Sequence, residues 1–306
     1  MDAPLRKERS DQATFKPVFR TARFDLESDV VLPGKTRLQL DECLTRLKYH
    51  KKIYSDWNFA AVDPMGMAAV LNFYGPPGTG KTLCAEAFAG RLGLPFMSLG
   101  IAELESKFMG ETAKNIQAAF EAARTTGAVL FFDEADTLLG KRLSSVTQGV
   151  DNEVNAMRST LLIELERFDG IAIFATNFVK NYDEAFRSRI GYHVEFTLPD
   201  SAARVLLWNR FIVAEIPLAE GREEIVAAAV EASDGLSGRE IRTCMRLALP
   251  KAWLAAERFG TPPKLSTGHI RAALDEIRAA QANVGRSGDA GRDSRVVQAK
   301  GLLGIQ

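Results

Sequence analysis

The octapeptide Gly75-Pro76-Pro77-Gly78-Thr79-Gly80-Lys81-Thr82 fits the pattern G-x-x-x-x-G-K-[ST], and its surroundings limit the folds open to the chain. The apolar run Ala69 to Tyr74 precedes it, and a helical stretch from Lys81 to Leu92 follows. Strand, glycine-rich turn and helix in that order make a phosphate-binding loop. The glycines let the backbone curl until its N–H groups point inward at phosphate oxygens, and the helix adds its positive N-terminal end. In such a loop the Lys81 ammonium reaches the β- and γ-phosphates and the Thr82 hydroxyl coordinates Mg²⁺. ATP and Mg²⁺ are therefore the expected ligands. Gly34-Lys35-Thr36 repeats the last letters of the pattern, but Asp29 stands where its first glycine belongs, which excludes a second loop.

The pattern along the chain agrees with that placement. Further apolar runs cover Pro95 to Leu99, Ala128 to Phe132, Ile171 to Thr176 and His193 to Thr197. Helical stretches lie between them near Thr112 to Thr125 and Asp151 to Arg167. Buried strands alternating with helices indicate an α/β fold, a five-stranded parallel sheet with helices on both faces. From Ser201 to about Ala280 the pattern is helical only, broken at Pro217, Asp234-Gly235 and Pro262-Pro263, which predicts a small all-helical lid domain. The expected organisation is a short N-terminal region (1–62), a large α/β subdomain (63–200), a small helical subdomain (201–280) and a tail (281–306). The tail is rich in Gly, Ser and charge, a composition that favours disorder. Within the N-terminal region, Thr14 to Val31 carries short β-compatible runs. Lys35 to Lys52 reads as an amphipathic helix with Leu38, Leu40, Leu44 and Leu47 inward.

The apolar strand Val129-Leu130-Phe131-Phe132 ends in Asp133-Glu134. In a phosphate-loop protein the strand neighbouring the loop delivers an acid to the metal, so Asp133 is the expected Mg²⁺ partner beside Thr82. Glu134 is the expected catalytic carboxylate, orienting and activating the attacking water. The letters Asp-Glu-Ala-Asp (133 to 136) also occur in an RNA-helicase motif. The chain has one such domain, however, and its next strand ends Ala-Thr-Asn.

Composition narrows the partners. The 39 basic and 39 acidic residues cancel, and no basic block is present, so nothing predicts nucleic-acid or membrane binding. Cys43, Cys84 and Cys244 lie far apart without a Cys-x-x-Cys spacing, as expected of buried thiols in a reducing compartment. The start MDAPLRKERSDQ lacks the apolar stretch of a signal peptide, and no run approaches the ~18 residues needed to span a bilayer. A cytoplasmic protein is the expectation.

From about residue 65 to 280 the chain resembles the AAA clade of AAA+ ATPases, with several motifs in the family's order. Asn177, ending Ile-Phe-Ala-Thr-Asn, matches the sensor-1 residue that helps place the lytic water. Ser106-Lys107-Phe108-Met109-Gly110-Glu111 resembles the first pore loop. The resemblance implies a ring, usually a hexamer, in which Lys107, Phe108, Met109 and Gly110 face a central channel and grip polypeptide. Residues 141–150 occupy the place of the second pore loop. Asp183 to Arg189 resembles the segment holding arginine fingers. Arg187 and Arg189 stand closer together than in the commoner spacing, so one of the two is the expected finger, reaching a neighbour's γ-phosphate. Gly235-Leu236-Ser237-Gly238-Arg239 matches the sensor-2 segment and implies Arg239 near the γ-phosphate. An Asp-Ile-Gly-Gly adenine cradle has no clear counterpart, and Tyr54 to Val62 is the candidate for that place. No His-Glu-x-x-His occurs, so no zinc protease is fused.

The single module, the short N-terminal region, the Arg187-Ser188-Arg189 variant and the retained Arg239 resemble the pachytene-checkpoint ATPases, which remodel HORMA-domain proteins. A composition rich in Ala, Arg and Leu is similar to bacterial members, which occur beside a HORMA protein in anti-phage operons. The resemblance thus implies a homo-oligomer acting on a HORMA-domain protein. Two other classes remain open at this point: a nucleic-acid-directed motor or clamp loader, and a nucleotide-controlled assembly scaffold.

Overall fold

The computed structural model describes residues 16–50, 52–62, 69–100, 111–139, 149–177 and 183–283. The described elements run α1 (Gly34–Lys48), β1 (Ala69–Tyr74), α2 (Lys81–Leu92), β2 (Phe96–Gly100), α3 (Glu111–Thr126) and β3 (Val129–Asp133). Next come α4 (Asp136–Leu139), α5 (Gly149–Arg167), β4 (Ile171–Thr176), α6 (Glu184–Arg187) and β5 (Tyr192–Glu195). Then follow α7 (Ser201–Phe211), α8 (Arg222–Ala232), α9 (Gly238–Phe259) and α10 (267–283). The strands form one five-stranded parallel sheet in the order β2-β3-β4-β1-β5. The α/β reading and the succeeding helical region both hold.

Two compact units divide the described chain. The first contains 16–30, 35–75 and 81–196, and the second 31–34, 76–80 and 197–283. The sheet belongs to the first. Its central strands β1, β3 and β4 are buried almost throughout, which is why they read as continuous apolar runs rather than alternating ones. Phe132 and Phe174 stack in the core at 4.8 Å, and Phe120 meets Phe168 edge-on at 5.1 Å. Parallel strands crossing over through helices carry all their C-terminal ends to one edge. β1, β3 and β4 are central, so their ends are flanked on both sides and can hold side chains rigidly.

The second unit packs its helices around Trp208, Ile225, Ile241 and Leu274, all buried. Trp208 Nε1 donates to Ser233 Oγ at 2.9 Å, so the indole is buried without losing its hydrogen bond. Asp200 caps α7 by accepting from Ala203 N, and Ser237 with Glu240 forms a reciprocal capping box at the start of α9. The breaks expected at Pro217, Asp234-Gly235 and Pro262-Pro263 fall between helices. Among the described residues no helix is long and apolar enough to cross a membrane.

The N-terminal segment departs from its expected pattern in two places. α1 buries Thr36, Leu40 and Cys43, whereas Leu38 is 61 % exposed. Spacings of four and three residues keep Thr36, Leu40 and Cys43 on one face, and Leu38 lies about 200° round from Thr36. The β-compatible run before α1 makes only a single antiparallel bridge, Arg20 with Phe96 (N···O 3.0 and 2.9 Å), along the open edge of β2. The segment is held there by charge. Glu86 on α2 is 2 % exposed and accepts from Arg23 Nε (2.8 Å), Arg23 NH2 (2.9 Å) and Arg23 N (3.0 Å), with Arg20 NH2 at 3.1 Å. Covering β2 in this way removes an exposed strand edge.

Hydrogen bonds from Arg23 hold the Glu86 carboxyl below its usual value of 4.5. A carboxylate with a lowered folded-state pKa stabilises above its unfolded pKa, and that contribution is lost as pH falls through the folded value. Glu86→Gln is expected to cost about 1–3 kcal/mol at neutral pH, the range for hydrogen bonds to charged groups. The gap to wild type should narrow below pH 4.5, as read by urea unfolding across the range.

Candidate nucleotide site

The turn after β1 is built so that only glycine fits its first position. Gly75 has φ 142°, and a Cβ there would stand 1.9 Å from the carbonyl oxygen of Phe196. That carbonyl is fixed because Phe196 N donates to Tyr74 O at 2.7 Å, extending the β5 pairing one residue past the strand. Gly75 N in turn donates to Thr176 O at 3.2 Å, so the loop leaves the sheet pinned on both sides.

α2 begins at Lys81, whose side chain is 8 % exposed. Its ammonium donates to Gly75 O at 2.7 Å and to Asn177 Oδ1 at 2.9 Å, joining the ends of β1 and β4. Thr82 Oγ1 donates to Asp133 Oδ2 at 3.0 Å, joining α2 to the end of β3. Mg²⁺ favours hydroxyl and carboxylate oxygens supplemented by water and phosphate, and rarely a full protein cage. The Thr82–Asp133 oxygen pair fits that ion. No cluster of three or more His, Cys, Asp or Glu suited to another metal occurs among the described residues.

Glu134 follows Asp133 in a left-handed conformation, φ 52°. A non-glycine residue there costs of order 1–3 kcal/mol and persists only where its surroundings enforce it. Here Glu134 N donates to Asp133 Oδ1 at 3.0 Å, and Ala135 N donates to Ala175 O at 2.8 Å. The turn leaves the Glu134 carboxylate exposed beside the Thr82–Asp133 pair.

Two residues unnoticed at the sequence level complete this corner. Asp136 Oδ1 accepts from Asn177 N at 3.2 Å and also from the Thr176 hydroxyl. In the sequence Asp136 is only the last letter of Asp-Glu-Ala-Asp, and no local spacing reveals that it faces the end of another strand.

In the second unit, residues 76–80 lie against the start of α9. Arg239 N donates to Gly78 O at 3.1 Å, and a Cβ on Gly78 would stand 2.6 Å from Ser237 Oγ. Thr79 Oγ1 donates to Pro76 O at 2.8 Å. The Arg239 side chain is exposed.

The two arginines of the finger segment differ in kind. Arg189 NH1 donates to Ala185 O at 2.7 Å and its NH2 pairs with Glu166. Arg187 is exposed, and its side chain makes no hydrogen bond or ion pair with the described residues. It acts on His193 on β5, whose pKa is pushed down first by desolvation and then by the Arg187 charge.

Tyr54 to Val62 is committed elsewhere. Tyr54 is buried, stacks on His50 at 4.4 Å and accepts from Arg46 NH2 at 3.2 Å, while Arg46 NH1 reaches Tyr192 Oη at 2.9 Å. Tyr192 pairs with Leu71, three residues or about 10 Å short of the strand end where the loop starts. The start of α1, by contrast, grips that end of β5. Lys35 Nζ meets Glu195 Oε2 at 2.8 Å, Thr36 Oγ1 donates to Glu195 O at 2.6 Å, and Glu195 N donates to Gln39 Oε1 at 3.2 Å. Lys107, Phe108, Met109 and Gly110, and the 141–148 part of the expected second pore loop, lie outside the described residues.

Residues 71–198 match the family model described as "ATPase family associated with various cellular activities (AAA)". Over this segment the chain is similar to AAA ATPase domains. The chain is 42 % identical over 132 residues to an uncharacterized AAA family ATPase, y4kL, of Sinorhizobium fredii, covering 42 % of this chain and 39 % of that protein. It is 44 % identical over 138 residues to the 26S proteasome regulatory subunit 7 homolog of Schizosaccharomyces pombe, covering 43 % and 31 %. The chain thus spans well under two thirds of these relatives' lengths. Among solved structures the FIGL-1 AAA domain superposes with a TM-score of 0.66 at 20 % identity, covering 88 % of this chain and 90 % of that one. At that identity the likeness shows the fold.

The close approach of Phe196 makes Gly75 a direct test of the candidate nucleotide site. Gly75→Ala is expected to displace the loop and lower affinity for a fluorescent ATP analogue by roughly tenfold or more, since a ligand gripped by fixed backbone donors tolerates little misplacement. Fluorescence titration of the purified chain reads this.

Proposed function

We propose that the chain is an ATP-driven protein remodeller that works as a ring of identical subunits, and that its substrate is a HORMA-domain protein. The observation that carries the ATPase reading is the joined corner of Lys81, Asn177, Thr82, Asp133 and Glu134 at the C-terminal ends of the central strands. Backbone N–H groups of residues 75–82 and the Lys81 ammonium bind the phosphates. Thr82 and Asp133 would hold Mg²⁺, which when bound would offset charge on the phosphate oxygens. Glu134 accepts the proton of the attacking water, and the Asn177 amide orients that water. Residues 31–34, grouped with 76–80 in one unit and with Val31 packed on the helical core, are better placed than Tyr54 to Val62 to flank the adenine.

The ring rests on Arg187. An exposed guanidinium without a hydrogen bond or ion pair to the described residues is available to a neighbouring subunit, whereas Arg189 is engaged within its own. In trans, Arg187 stabilises charge developing on the γ-phosphate. Similarity to a proteasome regulatory subunit homolog supports a protein substrate. The Arg187-Ser188-Arg189 spacing and Arg239 support the HORMA-remodelling branch, with Lys107 to Gly110 as the gripping loop.

Glu134→Gln is expected to keep binding of an ATP analogue while phosphate release falls by about two orders of magnitude or more. Arg187→Ala should do likewise, and Arg189→Ala should retain most turnover but melt lower. Mixing Glu134→Gln with Arg187→Ala subunits should restore part of the rate, because some interfaces then pair an intact base with an intact finger. Absence of any restoration, or inactivity of Arg189→Ala alone, would count against Arg187 acting in trans.

Phe108→Ala addresses work on the substrate. Basal hydrolysis and melting temperature should stay near wild type while remodelling of a HORMA partner and any partner-stimulated hydrolysis fail. A buried phenylalanine would instead cost about 3–5 kcal/mol on truncation and lower all of these readouts together. Stimulation by DNA rather than by protein would overturn the remodelling reading.

A further inference from the structure

We infer that Asp136 is a positioning residue for hydrolysis, holding the water-orienting amide of Asn177 and the Glu134 turn in one fixed relation. The inference rests on the ATPase reading above and adds to it a residue that contacts neither nucleotide nor metal.

Three bonds join the turn after β3 to the end of β4. Ala135 N donates to Ala175 O at 2.8 Å, Asn177 N donates to Asp136 Oδ1 at 3.2 Å, and the Thr176 hydroxyl donates to the same carboxylate oxygen. Thr176 is 1 % exposed. β3 and β4 are already paired, Phe132 with Phe174, but that ladder stops before the functional residues begin. Beyond it the two segments are joined by the Ala135–Ala175 backbone bond and by the Asp136 side chain. The consequence reaches both partners in the reaction. Asn177 Oδ1 accepts from Lys81 Nζ at 2.9 Å, so a shift in its backbone would move the amide off the phosphate lysine. Glu134 is held left-handed between the Asp133 bond on one side and the Ala135–Asp136 attachment on the other. Releasing Asp136 would let that residue relax toward ordinary backbone angles, carrying its carboxylate away from the water.

The role asks for an acceptor oxygen and not for charge. Asparagine retains one such oxygen, alanine none. In the purified full chain, Asp136→Ala is expected to lower kcat by roughly tenfold to a hundredfold, as misplacement of a catalytic group does, with affinity for a fluorescent ATP analogue within about threefold of wild type. Asp136→Asn should recover most of the lost rate, and Thr176→Val, lacking one of the two donors, should lose less than Asp136→Ala. Because Asp136 acts partly through Asn177, the two losses should not multiply in full, and Asp136→Ala/Asn177→Ala should turn over faster than the product of the single losses gives.

Several results would overturn the inference: Asp136→Ala within about twofold of wild type, Asp136→Asn as slow as Asp136→Ala, or losses that multiply in the double variant. Should Asp136→Ala not fold, as a melting curve reports, Asp136→Asn and Thr176→Val decide. Wild-type turnover in Thr176→Val would then overturn it. A wild-type chain that binds the analogue but releases no phosphate under any condition would instead sink the ATPase reading, and this role with it.

Discussion

The buried ammonium of Lys81 is the interaction on which the sheet's C-terminal edge depends. A charge that is 8 % exposed is costly unless oxygens surround it, and the fold supplies them from two strand ends, Gly75 O of β1 and Asn177 Oδ1 of β4. The arrangement does two things at once. It satisfies the lysine, and it forces the phosphate loop and the end of β4 to keep one separation. Thr82 and Asp133 add the end of β3 to the same corner. Parallel pairing makes this possible, because in such a sheet the C-terminal ends of three adjacent strands emerge side by side.

Rigidity at that corner is obtained by local conflict elsewhere. Gly75 passes so close to the Phe196 carbonyl that no side chain can stand there, and Glu134 is held in a backbone region that glutamate avoids. Strain of this sort persists only where the surroundings over-determine it. Here they consist of the Phe196–Tyr74 and Ala135–Ala175 bonds and the acceptor oxygen of Asp136. On the far side of α2, the Arg20 and Arg23 clamp on Glu86 fastens the N-terminal segment over β2. The helix that carries Lys81 and Thr82 is therefore fixed from its back as well as from its phosphate end.

Charge sorting separates the two arginines that local sequence leaves equivalent. Arg187 and Arg189 are one residue apart and chemically identical. In the structure one is consumed by Ala185 O and Glu166, and the other stands exposed beside His193. A guanidinium already holding a carboxylate has little to offer a phosphate on another subunit, since it would first have to break a charge-assisted bond.

Local chemistry alone determined the phosphate loop, the parallel sheet and the acid pair, because each rests on short-range rules. Glycines at fixed intervals, a lysine at a helix start and apolar runs of strand length can be read without knowing what lies across the sheet. The helical region after Ser201 was legible for the same reason, through its Pro and Asp-Gly breaks. The inward face of α1 was misread at Leu38, since burial of one helix face is decided by what packs on it rather than by leucine content. Long-range placement was decided only by tertiary structure. Tyr54 went to Arg46 and Tyr192 rather than toward the phosphate loop, the start of α1 took Glu195 at the end of β5, and Asp136 found Thr176 and Asn177 forty residues away. Spacing in sequence carries no information about which strands become neighbours when the order is β2-β3-β4-β1-β5. A hydrogen bond between residues far apart in the chain exists only once the sheet has brought their strand ends together.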